Sequence, residues 1–213
     1  MSRPLLLGHR GARASKQVPE NTLASFDLCL AQGCDGFEFD VRRSADGAAV
    51  VCHDPVIGGL RIDGTPARPL SLPALDQVLQ RFSAKAFLDI ELKVPGLGEL
   101  LISALRQHPP TEGYVVSSFL PEVLNEVHRL DPNIPLGFLY DRQAQLPPPT
   151  LPLAWVIPHF KLVDEKLVEE VHASGQKMMT WTVNRGADLS RLAGWAVDAI
   201  ISDETELLVQ AVR

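Results

Sequence analysis

Two kinds of hydrophobic pattern alternate along this chain. Short runs, apolar throughout or at every second position, are followed by stretches of about ten residues whose apolar positions recur every three or four. The first pattern predicts β-strands and the second amphipathic helices. Strands are expected at Leu5 to His9, Gly36 to Val41, Ala49 to Cys52, Ala86 to Leu92, Tyr114 to Ser117, Leu136 to Leu139, Ala154 to Ile157, Lys177 to Thr182 and Ala199 to Ser202. Helices are expected at Asn21 to Gln32, Leu72 to Phe82, Leu97 to Gln107, Pro121 to Leu130, Asp164 to Ser174, Ala187 to Trp195 and Glu204 to Val212.

Strands separated by helices imply βαβ units and a parallel sheet, because a parallel neighbour is reached only through a long crossover. The repeat number is close to eight, and 213 residues is the compact end of what a (β/α)₈ barrel needs. An open doubly wound sheet is the rival architecture. One domain spanning residues 1–213 is expected, with a short insertion at about 54–70, where Gly, Pro and Arg cluster after a strand. A second break is Gln143 to Pro152, which holds Pro147, Pro148, Pro149 and Pro152. So stiff and donor-poor a segment is expected to shorten or replace one barrel helix.

The polar residues favour the barrel because they fall at strand ends, where side chains point into a barrel's catalytic mouth. The first strand ends in Gly8-His9-Arg10-Gly11-Ala12, placing an imidazole and a guanidinium where the chain turns. On the second, Glu38 and Asp40 are two residues apart and share a face, while Phe37, Phe39 and Val41 take the other. Adjacent carboxylates in an interior need a cation, a shared proton or a salt bridge. Another strand adds Asp89, Glu91 and Lys93 on one face. Carboxylates without a thiolate suit a hard cation such as Mg²⁺ or Ca²⁺ better than zinc. His53 closes the segment Val50-Val51-Cys52-His53-Asp54, so it can face His9 across such a metal. Two histidines can activate a nucleophile and protonate a leaving group near neutral pH. Lys93 is placed either to reach a phosphate or to pair with Glu91 or Asp89. His159, after Ile157-Pro158, is a further candidate for the mouth.

The ordered set His9-Arg10-Gly11-Ala12, Pro19-Glu20-Asn21-Thr22, Glu38-x-Asp40, His53-Asp54 and Glu91-x-Lys93 resembles the glycerophosphodiester phosphodiesterases, short bacterial type, along almost the whole chain. Trp181-Thr182-Val183-Asn184 and Val197 to Asp203 extend the resemblance. It implies a TIM barrel that releases glycerol 3-phosphate and an alcohol from small-molecule glycerophosphodiesters, with one divalent cation, Mg²⁺ or Ca²⁺ and with Mn²⁺ also admitted. Glu38, Asp40 and Glu91 match the metal ligands, His9 and His53 the catalytic pair, and Arg10 and Lys93 the phosphate contacts. Glu20 matches a residue of the network behind the metal, and Phe119 and Trp181 match positions lining the pocket. The resemblance also suggests His9 as base and His53 as acid. Family members carry a longer insertion after His-Asp than Pro55 to Leu70 provides here, which leaves substrate size open and keeps lysophospholipids in view.

A net charge of −6 argues against a protein that tracks nucleic-acid phosphates. It does not exclude a single small anion held by a local cationic cluster. No apolar run approaches the ~20 residues of a membrane span, so a soluble, cytoplasmic chain without stable membrane insertion is expected. Cys29, Cys34 and Cys52 lack metal or redox spacing and read as buried free thiols. Two other readings compete. A Mg²⁺-dependent barrel lyase or isomerase would use the acids and Lys93 but leave both histidines idle, and a silent binding barrel would have lost a ligand or a histidine. Oligomeric state is not encoded legibly.

Overall fold

The computed structural model describes residues 3–142 and 151–213. Its strands are β1 (Leu5–His9), β2 (Gly36–Arg43), β3 (Ala49–Val51), β4 (Val56–Ile57), β5 (Leu60–Arg61), β6 (Phe87–Leu92), β7 (Tyr114–Ser118), β8 (Leu136–Tyr140), β9 (Leu153–Pro158), β10 (Lys177–Thr180) and β11 (Ala199–Ser202). The α-helices are α1 (Leu23–Ala31), α2 (Ala67–Leu70), α3 (Leu75–Phe82), α4 (Gly98–Gln107), α5 (Pro121–Leu130), α6 (Glu165–Ala173), α7 (Gly186–Gly194) and α8 (Thr205–Val212). Parallel pairing runs β1-β2-β6-β7-β8-β9-β10-β11 and closes through β11 back to β1. The fold is therefore a closed (β/α)₈ barrel, and the open sheet is excluded. Most of the Pro-rich segment, and with it the expectation about a shortened helix, lies outside the described residues.

Alternation along the strands creates two apolar layers. Inward positions such as Leu7, Val115, Leu139, Ile157, Met179 and Ile201 fill the barrel. Outward positions such as Leu6, Phe37, Phe39, Leu88, Ile90 and Val116 meet the helices. The helices bury matching stripes; in α3 these are Leu75, Val78, Leu79 and Phe82 at helical spacing. Phe26 of α1 stacks on Phe37 with ring centroids 4.1 Å apart, and Phe82 meets Phe37 edge-on at 5.2 Å. Gly36 lets β2 approach β6, since a Cβ there would collide with the Phe87 carbonyl.

Three element boundaries differ from expectation. The helix expected from Asn21 starts at Leu23, because Asn21 takes a left-handed turn with φ 56° and Thr22 caps α1 by accepting the Ser25 N–H at 3.2 Å. The helix expected from Leu72 starts at Leu75, after Pro73, whose carbonyl accepts the Val51 N–H at 2.8 Å. Strand β10 stops at Thr180, and Trp181 makes only an isolated bridge to His159.

The predicted strand at Ala49 is real but is not a barrel stave. β3 folds back antiparallel on the end of β2, pairing Val41 with Val51 and Arg43 with Ala49. This reversal returns the chain to the barrel mouth, where the Cys52 N–H donates to the Asp40 carbonyl at 3.0 Å. The segment beyond it forms the β4–β5 hairpin and the short helix α2 over a satellite core of Val50, Cys52, Ile62 and Leu70.

Candidate active site

Register brings the polar strand ends together. His9 pairs with Glu38 between β1 and β2, and Asp40 pairs with Glu91 between β2 and β6. All four side chains point inward, as the i, i+2 spacing requires. Just beyond His9, Arg10 and Gly11 turn with positive φ of 55° and 81°. This turn aims the Arg10 N–H at Glu38 Oε2, 3.0 Å away. Gly11 has no alternative, since a Cβ would press on Ser25 of α1.

Glu38, Asp40 and Glu91 each bring one oxygen into a group whose atoms lie within 4.8 Å of one another, all three side chains buried. Lys93 Nζ stands 2.6 Å from Glu91 Oε1 and 3.2 Å from Asp40 Oδ1, and Arg10 Nε lies 3.2 Å from Asp40 Oδ2. Asp89 sits deeper, fully buried, and accepts a hydrogen bond from Ser117 Oγ at 2.6 Å. Of the two partners expected for Lys93, it therefore takes Glu91 and not Asp89.

Four buried acids thus face two cations, Arg10 and Lys93. Burial raises the Glu38 pKa well above the ordinary value, and Asp40 and Glu91 push it further. Burial likewise lifts Glu91 to about 7, despite Lys93 beside it. For Asp40 burial acts in the same direction, but Lys93 and Arg10 outweigh it and hold the carboxyl below the usual range. Glu38 Oε1 is buried without a hydrogen-bond partner among the described residues, and Asp40 Oδ1 has only the Lys93 ammonium at 3.2 Å. Excess buried negative charge, the unpartnered Glu38 oxygen and an all-carboxylate donor set together fit a hard divalent cation.

A cavity of about 170 Å³ opens above this cluster with two unlike walls. His9, Arg10, Glu38, His53, Glu91 and Lys93 form one, and Phe119, Leu139, Trp181 and Ile201 the other. Larger surface depressions, of about 360 Å³ against α4 and about 620 Å³ beside Arg43, lack convergent buried acids. Phe119 and Trp181 meet edge-to-face at 5.3 Å, and Trp181 Nε1 donates to the Ile157 carbonyl at 3.1 Å. His159 does not border the cavity. It meets Trp181 edge-to-face, 5.3 Å between ring centroids, and its Nδ1 accepts the Lys161 N–H at 3.3 Å. Glu20 also stands back from the cluster, bonded to Arg10 at 2.8 Å and to Arg13 at 2.6 Å.

Sequence reasoning assigned no role to several residues that hold these groups. Asp203 binds His9 Nδ1 at 2.7 Å, and Asp54 binds His53 Nδ1 at the same distance. Burial opposes ionisation of Asp203, but bonds from His9, Asn184 and Arg13 outweigh it and hold its pKa far below the ordinary value. Asn21 donates to Asp40 Oδ2 at 2.8 Å, and Arg42 Nε donates to the His53 carbonyl at 2.6 Å. The available signal was position: Asp54, Asn184 and Asp203 each follow shortly after a strand, within the motifs already noted.

Known proteins resemble the chain along nearly its whole length. The chain is 31% identical to a glycerophosphodiester phosphodiesterase of Caldanaerobacter subterraneus over 98% of both chains. It is 27% identical to one of Bacillus subtilis, covering 96% of this chain and 85% of that protein. Among solved structures, an Oleispira antarctica phosphodiesterase in complex with the product sn-glycerol-3-phosphate superposes with a TM-score of 0.86 at 28% identity, covering 99% and 97% of the two chains. A Parabacteroides distasonis glycerophosphodiester phosphodiesterase shares the fold with a TM-score of 0.88 at 23% identity, covering 99% of this chain and 97% of that one. The model of the glycerophosphoryl diester phosphodiesterase family matches residues 9–101 and 101–207. The barrel therefore carries an enzyme, and the chain belongs to the glycerophosphoryl diester phosphodiesterase family.

Proposed function

We propose that this enzyme hydrolyses glycerophosphodiesters to sn-glycerol 3-phosphate and an alcohol, with a divalent cation held by Glu38, Asp40 and Glu91 and with His9 and His53 as the acid/base pair. The observation that carries this reading is that two imidazoles, two cationic side chains and Glu38 and Glu91 of the acid cluster border one cavity whose other wall is apolar. The bound product of the Oleispira relative supports the choice of glycerol 3-phosphate.

When bound, Mg²⁺, Ca²⁺ or Mn²⁺ would act as a Lewis acid on a phosphoryl oxygen. Arg10 and Lys93 neutralise the remaining phosphate charge from the same side of the cavity. Both are buried enough to keep that charge unscreened, with 11% and 13% of their side chains exposed. His9 removes the proton of the attacking hydroxyl, from water or from the substrate's neighbouring alcohol, and His53 protonates the departing alkoxide. Phe119 and Trp181 form the wall against which the non-reacting part of the diester rests. Glu20 keeps Arg10 directed at the cluster, and His159 packs edge-on against Trp181.

Release of sn-glycerol 3-phosphate from glycerophosphocholine tests the pair. His9→Ala and His53→Ala should each lower kcat by a factor on the order of 10² to 10⁴. Near-normal turnover in both variants would remove the histidines from the chemistry. A lyase or isomerase reading gives neither imidazole a task, although both border the cavity.

A second reading of substrate size rests on the insertion. Val56, Ile57 and Leu60, which begin three residues after His53, are 45%, 39% and 43% exposed. An exposed apolar hairpin that follows His53 closely in the chain, together with the apolar wall of the cavity, favours diesters with a hydrocarbon tail, such as lysophospholipids, as additional substrates.

A further inference from the structure

His9 and His53 each present one ring nitrogen to a carboxylate at 2.7 Å, but the two carboxylates are held very differently. The Asp203 side chain is 15% exposed and that of Asp54 is 72% exposed. Asp203 Oδ1 also accepts from Arg13 at 3.0 Å, and Oδ2 accepts from Asn184 Nδ2 at 2.7 Å. Asn184 then closes a clamp, because its Oδ1 accepts the Asp203 backbone N–H at 2.9 Å and the Ser202 hydroxyl at 3.1 Å. The Asp54 carboxylate has His53 as its only hydrogen-bond partner among the described residues.

We propose that Asp203, clamped by Asn184 and Arg13, is the positioning residue that sets the tautomer and ring orientation of His9, while Asp54 leaves His53 freer to turn. The inference rests on the acid/base reading above. A carboxylate surrounded by donors can only accept, so the hydrogen on the His9 side belongs to Nδ1. The lone pair of the neutral ring is then on Nε2, the nitrogen turned toward the acid cluster and 3.8 Å from Glu38 Oε2. A general base must offer its lone pair there. His53, on an exposed carboxylate, keeps the freedom a proton donor uses to follow a departing group.

The clamp spans the barrel's closure. Asp203 follows β11, Asn184 follows β10, and Arg13 lies in the loop after β1. Arg13 bonds Glu20 at 2.6 Å, Glu20 bonds Arg10 at 2.8 Å, and Arg10 lies 3.2 Å from Asp40. His9 and the acid cluster are thereby held in one frame.

The test is Asp203→Asn in the full chain, compared with Asp54→Asn and His9→Ala. An amide at 203 whose oxygen stays on Asn184 sets its NH₂ against both Arg13 and His9, so Arg13 must withdraw and Nδ1 must accept, which moves the ring proton to Nε2. The expected result is a fall in kcat on the order of 10² to 10⁴, with KM and sn-glycerol 3-phosphate affinity within ~3-fold of the parent. ¹⁵N spectra of histidine-labelled protein should show His9 changing tautomer, and Asp54→Asn should cost less than ~10-fold in kcat. If Asp203→Asn does not fold, Asn184→Ala is read in the same way, with a smaller kcat loss and loss of a single His9 tautomer expected. An Asp203→Asn enzyme with near-normal kcat, an unchanged His9 tautomer, or equal losses from the two aspartate variants overturns the proposal. An active His9→Ala enzyme overturns instead the acid/base reading beneath it.

Discussion

At the scale of single residues, the acid cluster sets an unusual electrostatic requirement. Glu91 has its pKa pushed by burial from 4.5 to about 7, and Asp89, also through burial, from 3.8 to about 7. Between the ordinary and the raised values the unfolded chain is ionised while the metal-free fold keeps these protons. Their contribution to stability is therefore complete below about pH 4 and is lost as pH rises through about 7. Chelated protein should show a denaturation midpoint that falls across this window, and saturating divalent cation should flatten the fall by binding the ionised form. A midpoint with the same pH dependence with and without cation would place the cation elsewhere. The cluster itself was legible because a strand's two-residue period puts Glu38 with Asp40, and Glu91 with Lys93, on one face. Asp203 was not, because its bond to His9 joins residues 194 apart and only barrel closure brings them together. Arg13 and Asn184 escaped for the same reason. His159, expected at the mouth, packs edge-on against Trp181 and is not among the residues lining the cavity.

At the scale of elements, every predicted strand and helix within the described residues is present, and two of the departures serve the site. Asn21 leaves α1 to clamp Asp40, and β3 leaves the barrel to bring His53 back to the mouth. Periodicity sees neither, because both are set by partners distant in sequence. The β4–β5 hairpin is the element most open to test. Its base is anchored by Ile62, 2% exposed, whereas its tip turns through Gly58 and Gly59 with no atom near enough to touch an added Cβ. Replacing Val56, Ile57 and Leu60 together with serine should change stability by no more than ~0.5 kcal/mol per site, as for exposed positions generally. The triple variant should keep kcat/KM on glycerophosphocholine and lose about tenfold on a lysophospholipid, the equivalent of ~1.4 kcal/mol of apolar contact. Equal activity of variant and parent on the lysophospholipid would reduce the hairpin to a surface feature.

At the scale of the whole molecule, the chain carries −6 overall, and the cavity wall sets the two cations Arg10 and Lys93 beside a cluster of buried acids. Among the described residues no helix is long and apolar enough to cross a membrane. The closed barrel supplies what an open sheet would not, an interior in which carboxylates from β2 and β6 face histidines from β1 and the returning β3 segment. Eightfold closure was foreshadowed by the repeat number and by polar strand ends, but the register that juxtaposes Asp40 with Glu91 emerges only from the assembled sheet. The most direct test is release of sn-glycerol 3-phosphate from glycerophosphocholine, glycerophosphoethanolamine and glycerophosphoglycerol by enzyme stripped with EDTA, before and after adding Mg²⁺, Ca²⁺ or Mn²⁺. The account predicts turnover that disappears on stripping and returns with at least one cation, and no return in a Glu38→Gln, Asp40→Asn, Glu91→Gln variant. Undiminished turnover in EDTA, or none with any cation on any of these diesters, would contradict it.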